Sequence, residues 1–266
     1  MIPAEYQPAA NRITITLDSS EPGYRALEIA IRLAVIQQAE LEGIFVEDTN
    51  LLRLAGLSFL REVRPLSLAE EAISTGRMQR ELRILARQAK QMLEQATSDM
   101  GVRWTFQVWR GQPRAATLLQ AFSADILSPG QFSSRVRSTA GQSRRQRGGN
   151  IARINVLFSD SERATRALRT ASSLASDLSA QLSVLLPAGE DRATQSLKDK
   201  ATTILAGLNQ QARIIQLGGT GMESLIQASG FTDRCILITE PEHALLLQTG
   251  LDKCLAALAC PVFLVR

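Results

Sequence analysis

The sequence contains an internal repeat, and this repeat limits the possible folds more than any other feature. The segment RITITLDSSEPGYRALEIAIRLAVIQQAELEGIFVED, residues 12–48, aligns without gaps on RINVLFSDSERATRALRTASSLASDLSAQLSVLLPAG, residues 153–189, at a constant offset of 141 residues. Arg12 aligns with Arg153, Leu27 aligns with Leu168, and the apolar positions keep the same spacing throughout. A repeat of this length indicates a tandem of two related domains.

Each repeat reads as an alternation of strands and helices. The apolar runs at 13–17 and 154–158 predict buried strands, and the Ser/Glu-containing turns after them predict the starts of amphipathic helices. Further strands are predicted at 41–46, 103–109, 125–127, 182–186, 213–217, 235–238 and 261–265. Further helices are predicted at 68–98, 113–122, 193–208, 222–229 and 244–258. Strands that alternate with helices are typical of parallel βαβ units, so the sequence predicts an α/β fold with parallel sheets.

The two halves differ after their fourth predicted strand. The second half continues through a helix into a fifth strand, whereas the first runs into SPGQFSSRVRSTAGQSRRQRGGN, residues 128–150. This segment has too few apolar residues to bury a helix face or a strand. We therefore predict a first domain at 1–131 that lacks its last helix and strand, a flexible linker at 132–150, and a complete second domain at 151–266.

The predicted linker carries the positive charge of the chain. The whole sequence has 30 basic and 26 acidic residues, and without five arginines of the linker these numbers nearly balance. The five are Arg135, Arg137, Arg144, Arg145 and Arg147. Such a cluster suits phosphates or acidic proteins, so an adaptor that engages anionic partners is one alternative function. Nucleic acid is a disfavoured partner, because only Phe132 is available nearby for base stacking.

Several classes of protein are disfavoured by the residues that the sequence lacks. It has three cysteines without a CxxC pair and a single histidine, His243, so no metal site is predicted. The cysteines are expected to be buried in a reducing compartment. No apolar run reaches the roughly 18 to 20 residues of a membrane span, and no signal peptide is recognisable, so we expect a cytoplasmic protein. His243 has no nucleophile motif near it, which predicts a surface histidine at a helix start and a protein that is not an enzyme.

Three segments resemble domains of the universal stress protein family. ITITLDSSEPGYRALEIAIRLA, residues 13–34, is similar to the opening of such domains, and ACPVFLVR, residues 259–266, is similar to their last strand. LEGIFVEDTNLLRLAGLSFLREV, residues 41–63, resembles the second strand and following loop in a bacterial branch of the family. The resemblance implies two tandem flavodoxin-like, Rossmann-like domains, each with strand order 3-2-1-4-5 and helices on both faces. Ligands of such sheets bind at the carboxyl ends of the strands.

The family resemblance also implies where a nucleotide would bind, since some members bind ATP and others do not. In members that bind it, an Asp after strand one and the end of strand two hold the adenosine. A loop of the form G-x2-G-x9-G-[S/T] after strand four surrounds the phosphates with backbone N–H groups. On this pattern the first half has a candidate adenine-nucleotide site at Asp18, Val46 and Gly130, although Ser133 stands where the next glycine is expected. ATP is the cofactor that this site would take, and an ATP-binding protein with slow hydrolysis is a second alternative function.

The second half departs further from the nucleotide-binding pattern. Ser159 stands at the position of the adenosine-binding Asp, and the loop after strand four is Thr239-Glu240-Pro241-Glu242 without a glycine. Two carboxylates would repel a triphosphate, and Pro241 removes an N–H donor. The sequence therefore predicts that the second half has lost nucleotide binding. The main interpretation is a non-catalytic stress-response or regulatory binding protein.

The fifth strand suggests how two copies of the chain would associate. In the family this strand commonly pairs with its equivalent on a partner domain, and here only one such strand, at 261–265, is predicted. Left alone it would be an exposed edge that invites pairing. We therefore predict a homodimer in which two chains pair through residues 261–265.

Overall fold

The computed structural model describes residues 11–17, 21–55, 61–63, 70–72, 75–129, 151–229, 232, 234–258 and 260–266. The first half contains β1 (Arg12–Thr16), α1 (Glu21–Gln37), β2 (Glu40–Asp48), α2 (Thr49–Leu54), β3 (Arg61–Val63), β4 (Glu70–Ala72), α3 (Thr75–Thr97), β5 (Trp104–Gly111), α4 (Ala115–Ala121) and β6 (Ile126–Ser128). The second half contains β7 (Arg153–Leu157), α5 (Glu162–Leu178), β8 (Gln181–Leu186), α6 (Asp191–Gly207), β9 (Arg213–Gln216), α7 (Met222–Ser229), β10 (Cys235–Thr239), α8 (Ala244–Thr249), α9 (Leu251–Ala257) and β11 (Val262–Val265).

Nine of these strands form one continuous sheet in the order β5-β2-β1-β6-β11-β10-β7-β8-β9. Counted within each half, the first half has the order 3-2-1-4 and the second half has the order 3-2-1-4-5. The predicted α/β fold and its strand order are therefore confirmed. In this nine-stranded sheet the neighbouring strands within each half are parallel, as their helical crossovers require.

The two halves join at β11, which pairs on both of its sides. It is parallel to β10 on one side, and on the other side it runs antiparallel to β6, with Leu264 opposite Leu127. The prediction that residues 261–265 form an exposed edge is therefore wrong, and with it the homodimer through this strand. The backbone groups that would pair with a second copy are already bonded to β6 of the same chain. Among the strands that the structure describes, β5 and β9 are the outer edges of this sheet.

Both faces of the sheet are covered by helices. On one face α1, α3, α5 and α6 pack over a core that runs through both halves. Apolar strand residues such as Ile15 and Val156 are completely buried in this core. Polar contacts also link α1 to α5. Arg32 forms an ion pair with Asp177 at 3.0 Å, and Gln37 Nε2 donates a hydrogen bond to Thr170 Oγ1 at 3.1 Å. α7, α8 and α9 cover the other face in the second half.

The structure differs from two helix predictions. The helix predicted at 68–98 begins at Thr75, because residues 70–72 form β4, which pairs antiparallel with β3. The helix predicted at 244–258 is divided into α8 and α9 at Gly250, whose φ is +88°. The predicted linker at 132–150 lies outside the described residues, and the division into domains stays a prediction. No helix in the described ranges combines the length and the apolar character that crossing a bilayer requires.

Candidate functional site

The second half places its polar residues at the carboxyl ends of two neighbouring strands. β7 and β10 are adjacent in the sheet, and the chain continues from β7 to β8 on one side and from β10 to β11 on the other. This is the topological switch point at which open α/β sheets bind ligands. The loops that follow these two strands contain Ser159 and Ser161 after β7, and Glu240, Glu242 and His243 after β10.

Glu240 is the central residue of this site. Its side chain is only 5% exposed, and its two carboxylate oxygens accept one hydrogen bond each. Ser159 Oγ donates to Oε1, and Ser161 Oγ donates to Oε2. The loop after β10 is thereby tied directly to the loop after β7, across the crevice where a ligand would enter.

Ser161 has a second role as the N-cap of α5. Its Oγ accepts a hydrogen bond from the Ala164 backbone N–H at 2.8 Å while donating to Glu240. The N-terminus of a helix carries partial positive charge, which stabilises a negative group close to it. The Glu240 carboxylate therefore lies beside the helix end that would otherwise be available to an anionic ligand.

Two ion pairs lie at the outer part of the site. Arg163 of α5 pairs with Glu242, and both side chains are about half exposed. The hydrogen bond and negative charge of Glu242 raise the pKa of Arg163 above its ordinary value. Lys200 of α6 pairs with Asp160 at 2.5 Å. Both cations are thus paired with carboxylates of the chain itself.

His243 is buried, which corrects the prediction of a surface histidine. It is the N-cap of α8, as the predicted helix start requires, but only 2% of the residue is exposed. Its Nδ1 accepts a hydrogen bond from the Leu245 N–H at 3.3 Å, so the neutral ring carries its proton on Nε2. Nε2 makes no hydrogen bond among the described residues. Burial lowers the pKa of His243, and the charge of Glu240 and the nearby Phe158 carbonyl oppose this shift in part.

The two serine hydroxyls and the histidine of this site do not form a Ser–His pair. The hydroxyls of Ser159 and Ser161 are donated to Glu240 and not to the imidazole of His243. Within the described part of the chain, no group of three or more His, Cys, Asp or Glu side chains could hold a metal ion. Cys235, Cys254 and Cys260 are buried, as the sequence predicted.

The first half shows only part of its predicted site. Val46 lies near the carboxyl end of β2, where it is half-buried and packs against the cluster of Ile44, Leu118, Phe122 and Leu127. β1 and β6 end side by side, and Thr16 Oγ1 donates to the Ser128 carbonyl at 3.3 Å. Asp18 and Gly130 lie outside the described residues, so their role in a nucleotide site stays a prediction.

The strand register relates the two candidate sites position by position. Ile15 pairs with Ser128 in the first half, and its repeat equivalent Val156 pairs with Ile238 in the second. Glu240 follows Ile238 by two residues, as Gly130 follows Ser128 by two residues. Glu240 therefore corresponds to Gly130, just as Ser159 corresponds to Asp18. Sequence reasoning found the acidic loop but missed its serine partners, although a hydroxyl in place of the usual Asp was the available signal.

Comparison with known proteins identifies the fold. No protein-family model matches this sequence, and no curated protein matches it. A universal stress protein from Archaeoglobus fulgidus DSM 4304 is similar in structure, with a TM-score of 0.53 at 12% identity over 97% of this chain and 98% of that one. The cytoplasmic domain of a prokaryotic cation chloride cotransporter has a TM-score of 0.42 at 13% identity, over 96% of this chain and 94% of that one. A universal stress protein from Archaeoglobus fulgidus in complex with dAMP has a TM-score of 0.24 at 9% identity, over 78% and 97%. The first of these three likenesses confirms the universal stress protein fold that the resemblance predicted.

Proposed function

We propose that this protein is a non-catalytic regulatory binding protein of the universal-stress-protein type, in which the second half has lost nucleotide binding. The observation that supports this proposal is the buried Glu240 carboxylate between Ser159 and Ser161. A phosphate placed there would meet a fixed negative charge. Two like unit charges 4 Å apart repel by about 4 kcal/mol at an effective dielectric constant of 20.

Glu240 also joins the two loops that a bound nucleotide would otherwise connect. A bound nucleotide would connect the loops after strands one and four, and here the carboxylate connects them through the two serine hydroxyls. The second half thus holds a closed loop arrangement without any small molecule. Because the two loops are already joined, the proposal is a binding or scaffold role for this half.

A second candidate function follows from the exchange of residues between the halves. The first half has the acid after strand one, at Asp18, and the glycine after strand four, at Gly130. The second half has the acid after strand four and a hydroxyl after strand one. The first half therefore keeps the arrangement that suits an adenine nucleotide, with Val46 at the end of strand two. An ATP-binding protein with slow hydrolysis through this half is the alternative.

The exchange itself provides the test. The double variant Ser159→Asp/Glu240→Gly gives the second half the residues of the first, and Ser159→Asp alone keeps the blocking carboxylate. ATP with Mg²⁺ is titrated into the wild type, these two variants, Asp18→Ala and the triple variant Asp18→Ala/Ser159→Asp/Glu240→Gly, by calorimetry and by thermal shift. We expect the double variant to gain a nucleotide site that the single variant lacks and that Asp18→Ala does not remove.

The same titrations separate the two candidate functions. Binding by the wild type that Asp18→Ala abolishes would place the nucleotide in the first half, and release of phosphate from ATP in that case would favour the alternative. Binding by the wild type that survives Asp18→Ala and is lost in Ser159→Ala would contradict the proposal, since the second half would then bind nucleotide despite Glu240.

A further inference from the structure

A groove separate from the candidate site lies between α3 and the edge strand β5. Its cavity volume is about 230 Å³, and we call it the basic groove. Phe106 and Val108 of β5 form its floor, and Arg83, Arg87 and Lys90 of α3 form its wall. It is remote from β7 and β10, so the inference below goes beyond the proposed function and does not depend on it.

The apolar floor follows from the alternation of side chains along β5. Phe106 and Val108 are two residues apart and therefore point to the same face, the one on which α3 packs. The apolar side chain that α3 contributes to the lining is the small Ala86, which covers little of the floor. Val108 is consequently 48% exposed, a high value for a valine in the sheet of a folded protein. An apolar surface of this kind binds apolar groups when it is concave.

The basic wall follows from helical spacing. Positions 83, 87 and 90 recur at four and three residues, so the three cations project from one flank of α3. In the described part of the chain none of their side chains forms an ion pair or a hydrogen bond. The one carboxylate that lines the groove, Glu47, is already paired with Arg110 at 2.9 Å. The positive charge of the wall is therefore not neutralised within the groove.

We propose that the basic groove binds a small amphipathic carboxylate. Its apolar body would lie on Phe106 and Val108, and its carboxylate would face the guanidinium groups of Arg83 and Arg87 and the ammonium group of Lys90. Charge complementarity selects an anion, because Arg83, Arg87 and Lys90 all line the groove and the structure shows no ion pair for them among the described residues. The volume of the groove selects a small molecule, because it is below the usual range of about 300–1,000 Å³ for drug-sized ligands.

The experiment uses the full chain, one fluorescent probe and four competitors. Binding of 8-anilinonaphthalene-1-sulfonate is followed by its fluorescence, and octanoate, octanol, inorganic phosphate and a hexaglutamate peptide are added as competitors. We expect the probe to bind at one saturable site. Octanoate should displace the probe from it, whereas octanol and phosphate at the same concentration should not. The double variant Arg83→Glu/Arg87→Glu should weaken binding at least tenfold. The matched variant Arg166→Glu/Arg169→Glu, with the same charge change on exposed positions of α5, should change it less than twofold.

Each other outcome would overturn the proposal. Absence of a saturable site, or equal weakening by the α5 variant, would show that the groove does not bind anions specifically. Displacement by octanol as effectively as by octanoate would show that the cations take no part. Displacement by hexaglutamate but not by octanoate would assign the groove to an acidic protein partner. Circular dichroism of each variant verifies that the sheet and helices are intact, so that loss of binding is not loss of folding.

Discussion

At the scale of single residues, the most informative side chain is Glu240. Removing a carboxylate from water is costly unless hydrogen-bond donors replace the lost water. Ser159 and Ser161 supply these donors, one to each carboxylate oxygen. The serines and the glutamate are therefore expected to act as a unit, in which the loss of either donor leaves a buried acceptor unsatisfied.

The first prediction concerns the two donors. Ser159→Ala should lower the free energy of unfolding by about 1–3 kcal/mol, because one oxygen of Glu240 loses its partner. Ser161→Ala should cost more, since it also removes the N-cap of α5. Urea denaturation measures both. Ser173→Ala, which removes an exposed hydroxyl, is the control and should change stability little. Equal effects of the Ser159 and Ser173 variants would show that the contact to Glu240 contributes nothing.

The second prediction concerns the pH dependence of stability. Burial lowers the pKa of His243 in the folded state, so the unfolded chain binds this proton more readily. The stability that His243 contributes is complete above its unfolded pKa, near 6.5, and is lost as the pH falls below that value. Protonation of Nδ1 also removes the acceptor that caps α8. The unfolding free energy should therefore fall between pH 7.5 and 5.5, with a slope of at most about 1.4 kcal/mol per pH unit.

The variant His243→Asn tests this assignment. Asparagine is a good N-cap whose side-chain oxygen can accept from Leu245, and it does not titrate in this range. His243 is the single histidine of the chain, so no other imidazole contributes. Thermal or urea unfolding at several pH values should show a flatter profile for the variant. Parallel profiles for the wild type and the variant would assign the pH dependence to other groups.

At the scale of secondary-structure elements, the break between α8 and α9 depends on one glycine. Gly250 has φ +88° and ψ +122°, a backbone conformation that residues with a Cβ rarely adopt. A Cβ built on it would have no atom within 4 Å, so steric contact with other residues does not restrict this position. The cost of a substitution there is therefore conformational only.

The third prediction follows from this difference. Gly250→Ala should destabilise the protein by about 1–3 kcal/mol, because alanine would be strained at this φ. Gly207→Ala is the matched control, since Gly207 ends α6, has a negative φ and also has open space around it. There alanine should stabilise by about 0.4–1 kcal/mol. Urea denaturation of both variants measures the two effects, and effects of the same sign would contradict the strain at Gly250.

The elements also show what could be predicted from the sequence. Buried strands such as β7 and periodic helices such as α7 could be predicted, because the apolar residues that face the core recur with the period of the element. β3 and β4 were missed because three-residue strands are too short to show a period. The single helix predicted at 244–258 was wrong because its apolar spacing continues across Gly250, whereas the backbone does not.

The candidate site was predictable in its chemistry but not in its contacts. The acidic loop after strand four and the loss of the Asp at position 159 are visible in the sequence. The hydrogen bonds from Ser159 and Ser161 to Glu240 join residues about 80 positions apart, and only the pairing of β7 with β10 brings them together. The burial of His243 likewise depends on tertiary packing. The residues around position 243 predict that a helix begins there, but not whether the histidine side chain is buried.

At the scale of the whole molecule, β11 serves both halves. Its pairing with β6 is antiparallel, whereas its pairing with β10 is parallel. The bonds extend past the strand, since the Arg266 N–H donates to the Asp125 carbonyl at 2.9 Å and the guanidinium of Arg266 donates to the Phe122 carbonyl at 2.8 Å. One strand of the second half thus completes the sheet of the first. The two halves are expected to unfold together rather than as independent units.

The fourth prediction tests this coupling with probes that report different parts of the chain. Both tryptophans, Trp104 and Trp109, lie in β5, so their fluorescence reports the first half, while far-UV circular dichroism reports both halves. Phe263 of β11 is completely buried in the core that the halves share. Phe263→Ala should lower the unfolding free energy by about 3–5 kcal/mol, and it should shift the tryptophan transition and the dichroism transition to the same lower denaturant concentration.

Leu247→Ala, at a side chain that is 64% exposed, is the control and should shift neither. A tryptophan transition that stays in place while the dichroism transition moves would show that the first half folds without β11, because a second-half substitution can reach β5 only through the shared strand and core.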